Sequence, residues 1–473
     1  MGRSHRGGVA ALVVVLLVLG AAAAMLTGQV PSPLDRRPAT AAGPTAAGST
    51  TPGTGPSSAP VAGLLQPSPA APAPVLAGLP RLVPPPTTAG LQAALGSLLG
   101  TASLGPDVGA VVLDGASGAV LLDQGGSVAH TPASTLKLLT GAAALQVIGP
   151  QTRLTTSVVR GAAPGELVLV GGGDPLLTAG ETTADETAST PASLRELARR
   201  TAAAMRAAGV HAARVSVDDT LFAPPAIAPT WEKHYVPSGV VAPVSALMVD
   251  QARTTPASSP GAPTGARHAD PALAAGQQLA TLLAAEGITV SAPVARATAA
   301  AGAQPLATVE SPAVGEIVER MLTTSDNDIA EALLRLVAVR SGAPATFDGG
   351  TAATIAALQQ LGVPTQGVRL SDGSGLARLD AVPARTLAAV LVAAASPEHP
   401  ALRPLLSGLP VAGFNGTLAG RFTDGGARGI VRAKTGSLTG VSTLAGTLTD
   451  ADGSLLVFAV LADEVPQTGT LAA

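Results

Sequence analysis

The feature that most restricts how this chain can fold is a change of composition near residue 88. From Gly28 to about Thr88 the sequence is rich in Pro, Ala, Ser, Thr and Gly and carries almost no charge beyond Asp35–Arg37. Such a segment buries too little apolar surface to offset the entropy lost on ordering. We therefore predict that residues 28–88 form an extended linker and that a folded body begins at residue 89.

The segment before the linker has the pattern of an export signal. Arg3, His5 and Arg6 precede an uncharged, mostly apolar run of 18 residues from Val9 to Leu26. A basic start and an apolar stretch are what the secretory machinery selects, and a run of this length just suffices to span a bilayer. We predict that residues 1–27 are a signal sequence or a membrane anchor, with the folded body outside the cytoplasmic membrane.

Composition excludes several functions for the folded body. The chain has no cysteine, 1% aromatic residues and a formal net charge of −3. Disulfides and thiol catalysis are thereby excluded, and a nucleic-acid partner lacks the basic surface and stacking rings that it needs. The six histidines show no metal-ligand spacing, so neither a metal nor another cofactor is expected. The oligomeric state is left open.

Three short motifs carry candidate chemistry. They are Ser134-Thr135-Leu136-Lys137, Ser325-Asp326-Asn327 and Lys434-Thr435-Gly436. Each recurs by chance in other proteins. This chain, however, has only three lysines and two asparagines, and two of these lysines and one of these asparagines lie in the motifs. Their joint occurrence therefore indicates a site.

The first motif has the spacing of a serine nucleophile and its base. Residues three apart on a helix share a face, so Lys137 is expected beside Ser134. A lysine with its ordinary pKa of about 10.4 is a poor base at neutral pH. Burial and a second cation, for which Lys434 is the candidate, both favour the neutral form. The alternative is that Ser134 only caps a helix.

The third motif is suited to binding a peptide end. Lys434 can hold the free carboxylate of a peptide C-terminus, Thr435 adds a hydroxyl donor, and Gly436 lets a substrate backbone approach closely. The alternative for Lys434 is an ordinary lysine at a strand edge.

The remaining groups complete an acyl-transfer site. The backbone N–H groups of Ser134 and Ser437 are expected to form an oxyanion hole. Ser325 is expected to relay a proton to the leaving amine, and Asn327 to hold a substrate amide. The alternative for Asn327 is a structural role in a turn.

Strand patterns lie at both ends of the folded body, with helical patterns between them. Residues 108–113 and 119–123 are predicted to be two strands near its start, and residues 443–448 and 455–461 two strands near its end. This order predicts an α+β fold in which an antiparallel sheet is covered by helices.

The three motifs and several longer strings resemble the D-alanyl-D-alanine carboxypeptidase/endopeptidases, which are the class C low-molecular-mass penicillin-binding proteins. The longer strings are Gly171-Gly172-Gly173-Asp174-Pro175, Ala242-Pro243-Val244-Ser245-Ala246-Leu247, Asp372-Gly373-Ser374-Gly375-Leu376 and Gly416-Thr417-Leu418. The resemblance implies a penicillin-binding-protein (β-lactamase-like) serine transpeptidase fold. It also implies a penicillin-sensitive serine peptidase that acts on peptidoglycan stem peptides through an acyl-enzyme, with β-lactams as inhibitors.

The resemblance also implies an inserted domain. Lys137 and Ser325 are 188 positions apart, which is more than one helical subdomain needs. We therefore predict a first catalytic part at 89–151, an inserted domain at 152–267 and a second catalytic part at 268–473.

Some residues near the expected pocket depart from the family's pattern. Arg378 follows the Asp372–Leu376 string and is a candidate contact for an acidic group on the third residue of the stem peptide. A surface arginine without function is the alternative. Trp231 and Tyr235 are the only residues of their types and could line the pocket or pack in the core.

Two other functions stay open: a β-lactamase and a non-catalytic penicillin-binding wall protein. A class A β-lactamase needs a glutamate that activates water, and no Glu-x-x-x-Asn string lies between Ser325 and Lys434. The glutamates nearest the motifs, Glu316, Glu319 and Glu331, are expected to be solvated or paired. A protein that only binds penicillin would not require Lys137.

Overall fold

The structure, a computed structural model, describes residues 85–163, 165–180, 190–255, 265–291 and 293–466. The predicted signal or anchor at 1–27 and nearly all of the predicted linker lie outside these residues. Within the described ranges, no helix is long and apolar enough to cross a membrane.

The helices and strands alternate irregularly along the chain. The helices are α1 (Thr88–Leu99), α2 (Lys137–Val147), α3 (Leu194–Ala207), α4 (Pro271–Ala285), α5 (Val314–Thr324), α6 (Asn327–Arg340), α7 (Phe347–Gln360), α8 (Ala384–Ala395) and α9 (Arg403–Ser407). The strands are β1 (Asp107–Asp114), β2 (Val120–Gln124), β3 (Ala129–His130), β4 (Arg153–Arg160), β5 (Glu166–Val170), β6 (Ala212–Asp218), β7 (Thr289–Val290), β8 (Ala295–Arg296), β9 (Pro305–Ala313), β10 (Val382–Pro383), β11 (Arg432–Leu438), β12 (Val441–Thr449) and β13 (Leu455–Asp463).

A five-stranded antiparallel sheet joins the two ends of the folded body, and this confirms the predicted fold class. Its strand order is β11-β12-β13-β1-β2. β1 pairs with β13 along its whole length, from Asp107 opposite Asp463 to Asp114 opposite Leu456. Because β11 ends the order, the strand that carries the Lys434 motif lies at an edge of the sheet.

Both faces of this sheet are covered, because successive side chains in a strand point to opposite faces. On β1, Val111 and Leu113 belong to the core that includes α2, α5, α6, α7 and α8. Ala110 and Val112 belong to a second core, which α1 covers with Leu91, Leu95 and Leu99.

A second sheet occupies the interval in which an inserted domain was predicted. It has six strands, with the order β7-β6-β5-β4-β9 and β8 paired to β6. Helices α3 and α4 cover it with a third core. The sheet extends past residue 267, the boundary expected from the sequence. Strands β7, β8 and β9 all follow that residue, and β9 pairs with β4 up to Ala313.

Candidate active site

Ser134 and Lys137 lie where the first sheet meets its helical layer. Ser134 is in a 3₁₀ turn, Ala133–Leu136, that leads directly into α2, of which Lys137 is the first residue. Lys137 Nζ donates to Ser134 Oγ at 3.0 Å. Lys137 is completely buried. The expected pairing of the two side chains on one helical face is therefore present, although the nucleophile candidate lies on the 3₁₀ turn.

Lys137 has two further acceptors. Its Nζ donates to Asn327 Oδ1 at 2.7 Å and to the Ser374 carbonyl oxygen at 2.8 Å. The amide nitrogen of Asn327 in turn donates to the Val240 carbonyl at 2.9 Å, which sets the orientation of the amide. Three acceptors therefore hold the Lys137 ammonium group in one direction.

Lys434 reaches the same turn as Lys137. Its Nζ donates to Ser325 Oγ at 2.8 Å and to the Thr435 carbonyl at 2.7 Å. Ser325 lies between α5 and α6 in the left-handed conformation, with φ of 58°, and Asn327 begins α6. The turn thus presents one partner to each of the two lysines, and the five predicted catalytic residues meet at one place.

Burial controls the charge of both lysines. It lowers the pKa of Lys137 to about 8, against the attraction of Asp372 and Glu331, which raises it. It lowers the pKa of Lys434 well below the ordinary value, and repulsion from Lys137 adds to the effect. Burial, one of the two expected causes, therefore lowers the pKa of Lys137, and the proximity of the two lysines lowers the pKa of Lys434 further.

Strand β11 runs directly beside the turn of Ser134. A Cβ atom on Gly436 would lie 2.2 Å from Thr443 Oγ1, 2.8 Å from the Pro132 carbonyl oxygen and 3.0 Å from the Ser134 backbone nitrogen. Close approach of a substrate was the expected reason for this glycine. In the structure the space is taken by the protein's own backbone, so Gly436 is what lets β11 pack against the Ser134 turn.

The two residues beside Gly436 differ in exposure. Thr435 is partly buried, and its hydroxyl donates to Thr417 Oγ1 at 2.9 Å. Ser437 is exposed and pairs with Ser442 on β12. The Gly416–Leu418 string therefore contributes a hydroxyl partner for Thr435, a role that the sequence analysis did not assign.

Arg378 lies at the rim of the site and already has protein partners. Its Nε donates to Glu232 Oε1 at 2.9 Å and its Nη1 donates to the Thr439 carbonyl at 3.0 Å. The guanidinium thus links the segment around Trp231 to the β11–β12 turn. Trp231 and Tyr235 are buried in the main core, the more common of their two expected fates.

Sequence reasoning missed a set of buried groups behind Lys137. Glu331, expected to be solvated or paired, is fully buried on α6, and its carboxylate accepts the N–H groups of Gly373 and Ser374. Burial, together with Asp372, raises the pKa of Glu331 to about 8. Asp372 is also fully buried. The only signal for these two residues in the sequence is their position. Asp372 begins the Asp372–Leu376 string, and Glu331 lies about one helical turn after Asn327.

The fold and the site together define a serine enzyme of the penicillin-binding-protein class. The sequence matches the D-Ala-D-Ala carboxypeptidase 3 (S13) family over residues 91–267 and 254–472, and the chain belongs to this family. The family predicted from the motifs is thereby confirmed.

Curated relatives cover most of the chain. A carboxypeptidase DacB of Mycolicibacterium smegmatis is 39% identical over 394 residues, which are 82% of this chain and 83% of the relative. A D-alanyl-D-alanine carboxypeptidase of Actinomadura sp. (strain R39) is 30% identical, with 73% of this chain and 76% of the relative covered.

A solved structure shares the fold. The crystal structure of penicillin binding protein 4 (dacB) from Haemophilus influenzae superposes with a TM-score of 0.63 at 24% identity, covering 78% of this chain and 92% of that one. A likeness over this share of both chains supports the fold class.

Proposed function

We infer that Ser134 is the nucleophile and Lys137 its general base in acyl transfer from a D-Ala-D-Ala peptide. The chain is a serine-type D-Ala-D-Ala carboxypeptidase, and its family membership favours this activity over the β-lactamase and non-catalytic alternatives. The observation that carries the assignment of roles is the 3.0 Å contact between Lys137 Nζ and Ser134 Oγ, in which Lys137 is fully buried and Ser134 half-buried.

The reaction proceeds in two halves. Neutral Lys137 takes the Ser134 proton, and Ser134 Oγ attacks the carbonyl carbon of the penultimate D-Ala. The backbone N–H groups of Ser134 and Ser437 stabilise the oxyanion. The proton passes to the leaving amine by way of Ser325 as the C–N bond breaks. Water then hydrolyses the Ser134 ester and restores the hydroxyl.

The terminal carboxylate of the substrate binds at Lys434 and the Thr435 hydroxyl. A carboxylate beside Lys434 raises the pKa of this lysine, since an opposite charge favours the ionised form. A Lys434 cation in turn favours neutral Lys137, the form that acts as a base. Substrate binding thereby activates the nucleophile, and Asn327 holds the substrate amide beside it.

The stem peptide of peptidoglycan is the proposed substrate, and β-lactams are the proposed inhibitors. A solved relative, the Haemophilus influenzae protein above, has also been crystallised with a β-lactam, and this structure has a TM-score of 0.59 to the chain. On the stem peptide, Arg378 is the proposed contact for an acidic group at the third residue, where that group would compete with Glu232 for the guanidinium.

Ser134→Ala tests the assignment. We expect a folded protein that releases no D-Ala from a pentapeptide and acquires no mass on mixing with benzylpenicillin. Ser437→Ala is the matched control, because it contributes only its backbone N–H and should keep both reactions. Labelling of the Ser134→Ala variant would contradict the role of Ser134.

The same measurement tests penicillin sensitivity. The ring-opened antibiotic stays tethered to Ser134 and blocks water, so deacylation needs a base placed over the ester. Glu331 does not fill this role, because it is fully buried and its oxygens accept the backbone N–H groups of Gly373 and Ser374. We expect the adduct to last for minutes or longer. Rapid return of the unmodified mass with continuous loss of antibiotic would indicate a β-lactamase.

We also propose that the protein acts outside the cytoplasmic membrane. The support is the basic start and apolar run at residues 3–26, together with a substrate that lies in the wall.

A further inference from the structure

A buried carboxylate lies behind the Ser134–Lys137 pair. Asp372 Oδ1 accepts the N–H of Gly375 at 2.7 Å, and its Oδ2 accepts the N–H of Ala377 and the indole N–H of Trp231, each at 2.8 Å. These donors fix both oxygens, so the carboxylate has one orientation.

One peptide group joins this carboxylate to Lys137. The Gly375 N–H and the Ser374 C=O are the two ends of the same peptide group, and the Ser374 carbonyl is the acceptor for Lys137 Nζ at 2.8 Å. A peptide group is planar and rigid. A carboxylate that fixes its N–H end therefore also fixes the direction of its carbonyl end.

The same peptide group is pressed against the turn of the nucleophile. Gly375 has φ of +81°, and a Cβ atom there would lie 1.9 Å from the Ala133 carbonyl oxygen. Ala133 directly precedes Ser134. The Ser374–Gly375 peptide is thus held between the nucleophile's turn on one side and Lys137 on the other.

We propose that Asp372 is a positioning residue, which holds Lys137 Nζ toward Ser134 Oγ through the Ser374–Gly375 peptide group. Trp231, which comes from the chain between β6 and α4, anchors Asp372 from the opposite side. The proposal rests on the roles assigned above to Ser134 and Lys137. The charge of Asp372 also acts on Lys137 directly, and its attraction is the largest influence that raises the pKa of this lysine.

Asp372→Asn is the decisive variant, because it keeps the size of the side chain and removes its charge and one acceptor. Misplacement of a reacting group by about 1 Å costs on the order of 100-fold in rate. We expect kcat and the rate of acylation by benzylpenicillin to fall by about 10- to 100-fold, with KM changed by less than about threefold.

The pH profile separates positioning from a merely structural role. Loss of a negative charge lowers the pKa of Lys137, so the acidic limb of kcat/KM should move to lower pH in Asp372→Asn. A change that only loosened the fold would lower the midpoint of thermal unfolding and leave the limb in place. An unmoved limb with wild-type kcat would overturn the proposal.

Asp380→Asn is the matched control. Burial, with Asp372 nearby, raises the pKa of Asp380 well above its usual range, and an amide closely matches the size of this carboxyl. Its carboxyl accepts the Ser371 N–H and bonds to the Asp372 side chain, to which an amide can still donate, but it has no hydrogen bond to the Ser374–Gly375 peptide. We expect the acidic limb of kcat/KM to lie at the wild-type pH, and kcat to stay within about threefold of wild type. The full Asp372→Asn loss in this control would also overturn the proposal.

The wild-type protein provides a test that does not depend on the folding of Asp372→Asn. Trp231 is the only tryptophan of the chain, so its fluorescence reports on the group bonded to Asp372. We expect its emission to titrate with the pKa seen in kcat/KM, and this titration to vanish in Lys137→Ala. Trp231 emission that does not change through this pH range would contradict the proposed connection between Asp372 and Lys137.

The proposed roles of Ser134 and Lys137 and the positioning role of Asp372 are refuted by different outcomes. Acylation retained by Ser134→Ala or Lys137→Ala would refute the proposed roles themselves. Loss of acylation in both, with Asp372→Asn behaving as wild type, would refute only the positioning role of Asp372.

Discussion

Two buried lysines share one turn of the chain in this site, and this arrangement sets the charge that each can carry. Lys137 bonds to Asn327 and Lys434 bonds to Ser325, so their ammonium groups lie too close for both to ionise readily. The acids Asp372 and Glu331 lie on the Lys137 side and favour the proton there. In the free enzyme the pKa of Lys137 is about 8.

The lowered pKa of Lys137 predicts a specific pH dependence of activity. Lys137 must be neutral to act as a base, so activity is lost as pH falls through its pKa, tenfold for each further unit. We expect kcat/KM, which reports the free enzyme, to have an acidic limb near pH 8. The limb of kcat should lie lower, because the substrate carboxylate raises the pKa of Lys434 in the complex, and a Lys434 cation opposes a second proton on Lys137. Identical limbs for both parameters would contradict the coupling of the two lysines.

A second prediction at this scale concerns Gly436. A methyl group there would overlap Thr443 Oγ1 and the Pro132 carbonyl, so Gly436→Ala must push β11 away from the Ser134 turn. Overpacking of this kind costs about 1–3 kcal/mol of unfolding free energy. We expect this loss in urea denaturation, with acylation slowed at least tenfold.

Gly420→Ala is the control for Gly436→Ala, because a Cβ atom at Gly420 meets nothing within 4 Å. It should keep wild-type stability and acylation. Wild-type acylation in Gly436→Ala would mean that contact between β11 and the Ser134 turn does not matter for catalysis.

At the scale of elements, the start of α6 is tied down residue by residue. Gln251 donates to Asp326, Asn327 donates to the Val240 carbonyl, and Arg267 forms a buried ion pair with Asp328 at 3.0 Å. All three outside partners come from the stretch between β6 and α4. Gln251 also has positive φ, as do both its neighbours, a costly conformation that the surrounding contacts must hold in place. The chain of the second sheet therefore positions the Ser325–Asn327 turn.

Arg267→Met measures the strength of this connection. The change leaves Asp328 buried without its charge partner, and breaking a buried pair typically costs about 3–5 kcal/mol. We expect a loss of this order in urea denaturation, with a fall in kcat as Asn327 loses its support. Arg296→Met is the control: its partners Asp219 and Asp270 are partly exposed, so about 0–1 kcal/mol is expected. Equal losses in both variants would contradict the proposed role of the Arg267 pair.

At the scale of the whole molecule, one catalytic centre is assembled from three distant parts of the chain. The Ser134 turn, the α5–α6 turn and β11 meet because β1 and β13, from opposite ends of the folded body, lie side by side in one sheet. Removal of either end would therefore destroy the site.

The proposed location gives a prediction for the intact cell. Protease added to intact, wall-stripped cells should cleave the folded body from residues 1–27, because we expect the linker at 28–88 to be extended and accessible. A cytoplasmic enzyme measured in the same sample is the control and should stay whole. Protection of both proteins would contradict export.

The sequence by itself was sufficient for the family and the fold class, and it named the candidate residues that the structure brings together. Lysine and asparagine are so rare in this chain that composition and order alone single out Lys137, Lys434 and Asn327. The strands at both ends showed the short apolar runs bounded by turn residues that are typical of strands, and the sheet confirms them. Strands β4 and β9 and helices α7 and α8 were not predicted. β4 and β9 contain many polar residues, and α7 and α8 are rich in small residues, so their sequences carry a weak signal for either element.

Only the tertiary structure decided how the site is supported. Trp231 and Asp372 are 141 positions apart, and no local pattern in the sequence joins an indole to that carboxylate. The burial of Glu331 and the contact of Gly436 with the Ser134 turn likewise depend on how the sheets and helices pack. Local sequence fixes residue type and periodicity, whereas the pKa of Lys137 depends on desolvation and on charges brought near by long-range packing. That is why the candidate residues could be named from the sequence and their environment could not.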